Sequence, residues 1–161
     1  MKSSISVIWR EASGKLGEEL LRHYLAKEGI VSFNVGETRL PFDLIVPIPD
    51  GTIFHKKAVI QVKTETQVKK LTPRYAYEPD KETFSTALRK MTGLGFEDYE
   101  FWLALLWINW EGNSLRFVGC LCPATKISPE DFRATKKPFL LFWNVWKKSP
   151  LTFGSKTPDL Q

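Results

Sequence analysis

The sequence predicts an α/β protein, a mixed β-sheet flanked by helices, and three observations lead there. An early segment repeats apolar residues at helical spacing, and several later segments alternate apolar and polar residues over strand lengths. One further segment, Tyr99 to Trp110, is apolar on both faces, as a central strand covered from both sides must be. At 161 residues the chain is expected to form one domain over residues 1–150, with a flexible tail over 151–161.

The first strong element is a helix from about Gly14 to Glu28, with Ser13 offered as its N-cap and Gly29 as its stop. With Leu16 at the origin of a helical wheel, Leu20, Tyr24, Leu21 and Leu25 fall within an arc of about 180°. Glu18 lies on the edge of that arc, whereas Glu19 falls among Lys15, Arg22 and His23. Of the two acids, only Glu18 can lean into the protein.

Two strands follow, Ile30 to Val35 and Leu40 to Ile48. In the second, Leu40, Phe42, Leu44, Val46 and Ile48 share one face, so Asp43 is expected on the other. In the next strand, Ala58 to Lys63, the residues Val59, Gln61 and Lys63 share a face. If these two strands pair antiparallel, Asp43 meets Gln61 and Lys63 only when opposed residue numbers add to an even total, for example 43 with 63. That register implies a loop of about Asp50 to Lys56 in place of a two-residue turn at Asp50-Gly51.

Downstream, Asp80 is expected to cap a helix of about Lys81 to Thr92. Tyr99 to Trp110 then turns through Glu111-Gly-Asn-Ser114 into a strand from Leu115 to Leu121. Pro129-Glu130-Asp131 can open a helical turn, and Pro138 to Trp146 reads as a final strand. Cys120 and Cys122 would point to the same face of their strand, which is poor geometry for a mutual disulfide; they are read as reduced core residues.

Lys and Arg total 23 against 18 Asp and Glu, a net charge of +5 that favours polyanionic partners. The start, Met1-Lys-Ser-Ser, has no apolar core of a signal peptide, and the most apolar run, Phe101 to Trp110, is too short to span a bilayer. A soluble, intracellular protein with no membrane partner is expected, cytoplasmic, and nucleoid-associated if prokaryotic. His23 and His55 stand apart from any ligand cluster. The absence of a Gly-rich phosphate loop, a Cys-x-x-Cys pair and a Gly-x-Ser-x-Gly elbow argues against ATPase, zinc-finger and serine-hydrolase chemistry.

An acid on a helix edge, an Asp in an apolar strand and a Gln-x-Lys pair in the next remain to be explained, because such groups are costly to bury without a task. Their order, Glu18, Asp43, Gln61 and Lys63, resembles the PD-(D/E)xK nuclease superfamily. Gly17-Glu18-x-x-Leu-x-x-Tyr24-Leu25-x-x-x-Gly29 is similar to the helix that opens many members, and the likeness covers about Gly14 to Glu65. Phe42 stands where the name-giving Pro would be, and Gln61 replaces the second acid. A Gln-x-Lys triplet is similar to the branch holding certain small homing endonucleases and modification-dependent restriction enzymes.

The resemblance implies a restriction-endonuclease-like core and a metal-dependent DNA endonuclease of homing or restriction type. Asp43, the Gln61 amide oxygen and the Val62 carbonyl would ligate Mg²⁺, with Mn²⁺ as a substitute, and Glu18 would hold a metal-bound water. Lys63 would orient the attacking water or stabilise the phosphate. With one carboxylate replaced by an amide, weaker metal binding and a single-metal mechanism are expected. Lys69, Lys70, Arg74, Tyr75 and Tyr77, basic residues interleaved with aromatics, are the candidate contacts to double-stranded DNA. Cutting both strands from one small active site implies a homodimer or a higher homo-oligomer. The alternatives are a structure-selective nuclease of the Holliday-junction-resolving kind and a nuclease-derived module that binds nucleic acid without cutting it.

Overall fold

In a computed structural model the described residues are 2–36, 38–67, 89, 93–111, 113–128, 131 and 144–154. They form an α/β unit in which helix α1 (Lys2–Lys27) precedes a six-stranded mixed sheet. Its strands are β1 (Phe33–Asn34), β2 (Leu44–Val46), β3 (Ala58–Gln67), β4 (Glu100–Glu111), β5 (Ser114–Pro123) and β6 (Leu151–Gly154), lying side by side in chain order. Only β3 and β4 run parallel; the other neighbours are antiparallel. The β4–β5 hairpin closes on the pair Glu111 and Ser114, at the turn expected from sequence.

Two apolar layers sandwich the sheet. On one face, Leu21 and Leu25 of α1 pack with Leu44, Val46, Ala58, Ile60, Val62, Trp102, Ala104, Leu106, Leu121 and Phe153. On the other, Phe42, Val59, Phe101, Leu103, Leu105, Val118, Cys120 and Cys122 pack with Val145. Strand β4 feeds both layers alternately, which is why its sequence is apolar without a break. Both cysteines are free and buried in the second layer.

Helix α1 is much longer than its apolar arc, running back to Lys2. Ser13 is therefore no cap but a buried residue inside the helix. A small side chain is tolerated there because neighbouring turns supply the backbone bonds. The C-terminal end is where the sequence puts it: Ile30 N–H donates to Leu25 O at 2.9 Å and Gly29 N–H to Ala26 O at 3.0 Å, with Gly29 at φ +77°. That is a Schellman closure, sealed by the apolar contact of Ile30 with Leu25.

Strand β2 departs from simple alternation. Leu44 pairs with Ile60, yet the amide of Asp43 also donates to Ile60 O at 2.9 Å, so two successive residues stand against one, as in a β-bulge. The extra residue reverses the phase of the strand. Phe42 drops into the layer opposite Leu44 and Val46, and Ile48 is solvent-exposed, so the single face expected for Leu40 to Ile48 is not formed.

The β2–β3 register has the expected parity but is shifted by two residues: Leu44 opposes Ile60 and Val46 opposes Ala58, which brings Asp43 beside Ile60 and Gln61 and not opposite Lys63. Residues 47–57 connect the strands without a tight turn. The Asp50 carboxylate accepts from Ile53 N–H at 3.1 Å and Phe54 N–H at 2.7 Å, and Gly51 turns at φ +80°. These bonds let Phe54 bury itself against Trp102, with ring centroids 4.8 Å apart.

Two readings near the C-terminus are corrected. Residues 144–148 are helical where a strand was expected, with Val145 driven into the second layer. Leu151–Gly154, assigned to a flexible tail, is strand β6, held because Phe153 buries itself over Gly119 and beside Tyr24. The expected helix over Lys81 to Thr92 and all but Asp131 of the Pro129-Glu130-Asp131 turn lie outside the described residues, apart from a helical Arg89. The strand expected over Ile30 to Val35 is reduced to Phe33–Asn34. No described helix is long and apolar enough to cross a membrane.

Candidate active site

Helix α1 approaches β3 at Gly17, where a β-carbon would lie 1.9 Å from Thr64 Oγ1. Only glycine permits this approach, and it delivers the next residue, Glu18, to the end of the β2–β3 pair. Glu18 is half-buried while Glu19 is exposed and pairs with Arg22 at 3.0 Å, the division expected from the helical wheel.

Asp43 is fixed from three sides. Its N–H donates to Ile60 O at 2.9 Å, its carbonyl accepts from Val35 N–H at 2.8 Å, and its Oδ2 accepts from Val62 N–H at 2.7 Å. The bulge makes this possible, since β2 stops pairing at the point where the next β3 amide needs an acceptor. The carboxylate supplies it.

The other oxygen, Asp43 Oδ1, lies beside the solvent-exposed Gly36, whose missing side chain leaves an open hollow there. A β-carbon on Gly36 would sit 3.4 Å from Asn34 Oδ1, 3.5 Å from Asp43 Oδ1 and 3.6 Å from Glu18 Oε1. Three oxygens from α1, β1 and the start of β2 therefore converge on a space that one methyl group would fill. Asn34 Nδ2 donates to Glu18 Oε2 at 2.6 Å, and Asn34 Oδ1 accepts from Gly36 N–H at 2.9 Å.

The electrostatics fit a cation-binding role. Burial pushes the Glu18 carboxyl upward, the Asn34 hydrogen bond opposes this, and the neighbouring Asp43 charge adds to it. Burial likewise raises Asp43, against the Val62 amide and the Lys63 ammonium, which lower it. Two acids held at a cost in their charged forms gain most from a cation between them. Among the described residues no group of three His, Cys, Asp or Glu converges anywhere. The donors here are two carboxylates and an amide oxygen, hard ligands suited to Mg²⁺.

The structure thus brings Asp43 within electrostatic reach of Glu18 on one side and of Lys63 on the other. Gln61 adjoins them through the backbone, one residue before the amide that holds Asp43. Its side chain is 7% exposed and lies, by strand alternation, on the Val59 side of β3. Lys69, Lys70, Arg74, Tyr75 and Tyr77 lie outside the described residues. Asn34 and Gly36 escaped the sequence reading; the pair Asn34-Val-Gly36, an amide two residues ahead of a glycine amide, is the local signal of this turn.

No family model, curated protein or solved structure matches the chain.

Proposed function

We propose that the protein is a Mg²⁺-dependent DNA endonuclease whose site comprises Asp43, Glu18, Lys63 and Gln61. The supporting observation is the hollow at Gly36, where an oxygen of Asp43 and an oxygen of Glu18 stand within 3.6 Å of one point. Lys63 lies near enough to act on the Asp43 charge. A divalent cation bound there would acidify a water and neutralise charge on a scissile phosphate. Asp43, locked by the Val62 amide, would hold the cation without reorganising. Glu18 would keep its free oxygen toward the same space. Lys63 would contribute a mobile positive charge toward the phosphate or the attacking water.

The net charge of +5 favours a polyanionic substrate. Double-stranded DNA and a homodimer that cuts both strands are part of the same proposal. A plasmid-nicking assay tests it: wild-type protein is expected to nick in Mg²⁺, and Asp43→Ala and Lys63→Ala each to lose at least about a hundredfold in rate, as for removal of one transition-state-stabilising group. Unchanged nicking in both variants would remove these residues from the site. Retained DNA binding with no cleavage of plasmid or branched DNA would leave a binding module.

A further inference from the structure

Resting on the nuclease reading of this site, we propose that Asn34 is its positioning residue, fixing Glu18 for the cation, with Gly36 holding open the space that the cation takes. The hydrogen bonds determine how the amide is turned. Gly36 N–H can only donate, so the atom it meets at 2.9 Å is Asn34 Oδ1, and the end facing Glu18 is therefore the Nδ2 donor. A 2.6 Å bond from that donor to Glu18 Oε2 is charge-assisted and occupies one of the two carboxylate oxygens. Glu18 Oε1 is left facing the hollow beside Asp43 Oδ1.

Asn34 is itself well anchored for such a role. It pairs with Leu44 in the β1–β2 ladder, one residue from Asp43, so the clamp and the acid ride on the same pair of strands. Its Oδ1 is also the closest of the three oxygens to the Gly36 position, at 3.4 Å. Gly36 has no positive φ, so its lack of a side chain serves no backbone need. The lack of a side chain leaves the space between the three oxygens empty.

Mn²⁺ titration of the full chain without DNA, followed by electron paramagnetic resonance of the free ion, tests this directly. Asn34→Ala is expected to weaken Mn²⁺ binding about ten- to a hundredfold, the usual cost of losing a ligand's orienting partner. Gly36→Ala keeps the Asn34–Glu18 clamp and introduces a methyl at ordinary contact distances, so it should fold and still lose Mn²⁺ binding by a similar factor. Melting curves without metal provide the control. If Asn34 only ties β1 to α1, Asn34→Ala lowers the melting temperature and binds Mn²⁺ as wild type does, which overturns the proposal. Wild-type affinity in Gly36→Ala overturns the role of the hollow. Wild-type protein that takes up no Mn²⁺ overturns the metal site itself, and the nuclease reading with it.

Discussion

Asp43 shows how one residue is set by contacts at short range and made costly by them. Its folded carboxyl is raised by burial above its unfolded value, so the folded state holds its proton more tightly. Stability from this group is present at low pH and is lost as pH rises through the raised value. At neutral pH without metal, Asp43→Asn is therefore expected to melt at a higher temperature than wild type, while Mg²⁺ should raise the melting temperature of wild type only. A lower melting point for Asp43→Asn would contradict the strain ascribed to its charge. Gly17 carries the opposite kind of constraint: Gly17→Ala drives a methyl into Thr64 and should cost about 1–3 kcal/mol. Thr64→Ala should recover part of that loss in urea unfolding, because the two sites share one contact. Legibility followed the same line at this scale. Glu18 was readable because a helical wheel places it on a buried edge, and Lys63 because strand alternation is local. Asn34 and Gly36 were not, because their importance arises from Glu18 and Asp43, which are distant in the chain.

At the scale of elements, ends were predictable where they depend on adjacent residues and unpredictable where they depend on partners. Helix α1 stops at Gly29 by local stereochemistry, and Gly29→Ala should cost about 1–2 kcal/mol in chemical denaturation, the strain of a β-carbon at positive φ. Its start at Lys2 and the short β2 follow from no comparable local signal. The bulge at Asp43 lies in a run that reads as ordinary alternation. The helical run at 144–148 is pinned by Asp131, whose carboxylate accepts from Lys148 Nζ at 2.7 and 2.9 Å and from Ser128 N–H at 2.8 Å. Burial raises Asp131, but these partners outweigh it and hold its carboxyl below the ordinary value. Its stabilisation is complete above the unfolded carboxyl range and is lost as pH falls through the depressed value. Lys148→Met should therefore melt at a lower temperature than wild type at neutral pH, with the gap closing in acid; a gap that stays constant would assign the loss to packing.

For the whole molecule, β6 is the element that changes the picture most. Phe153 is 5% exposed, stacks on Tyr24 of α1 at 4.8 Å between centroids, and so joins the last strand to the first helix across the sheet. Ending the chain at Pro150 should remove about 1.5–3 kcal/mol from this side chain alone and bare the edge of β5. The truncated protein is expected to melt lower and to self-associate in light scattering. A truncation that melts and scatters like the full chain would show that β6 contributes nothing to the fold.

The sequence by itself determined the class of the fold, the apolar central strand, the buried edge of α1 that carries Glu18 and the parity that sets Lys63 on the Gln61 face of its strand. Each of these depends on the fixed periods of helix and strand, which any stretch of chain reveals alone. Tertiary structure decided the phase of β2, the docking of the C-terminal strand and the meeting of Glu18, Asn34 and Asp43 over Gly36. Those outcomes depend on which distant backbone groups need partners and on how closely two elements can approach, and neither is written in any one segment.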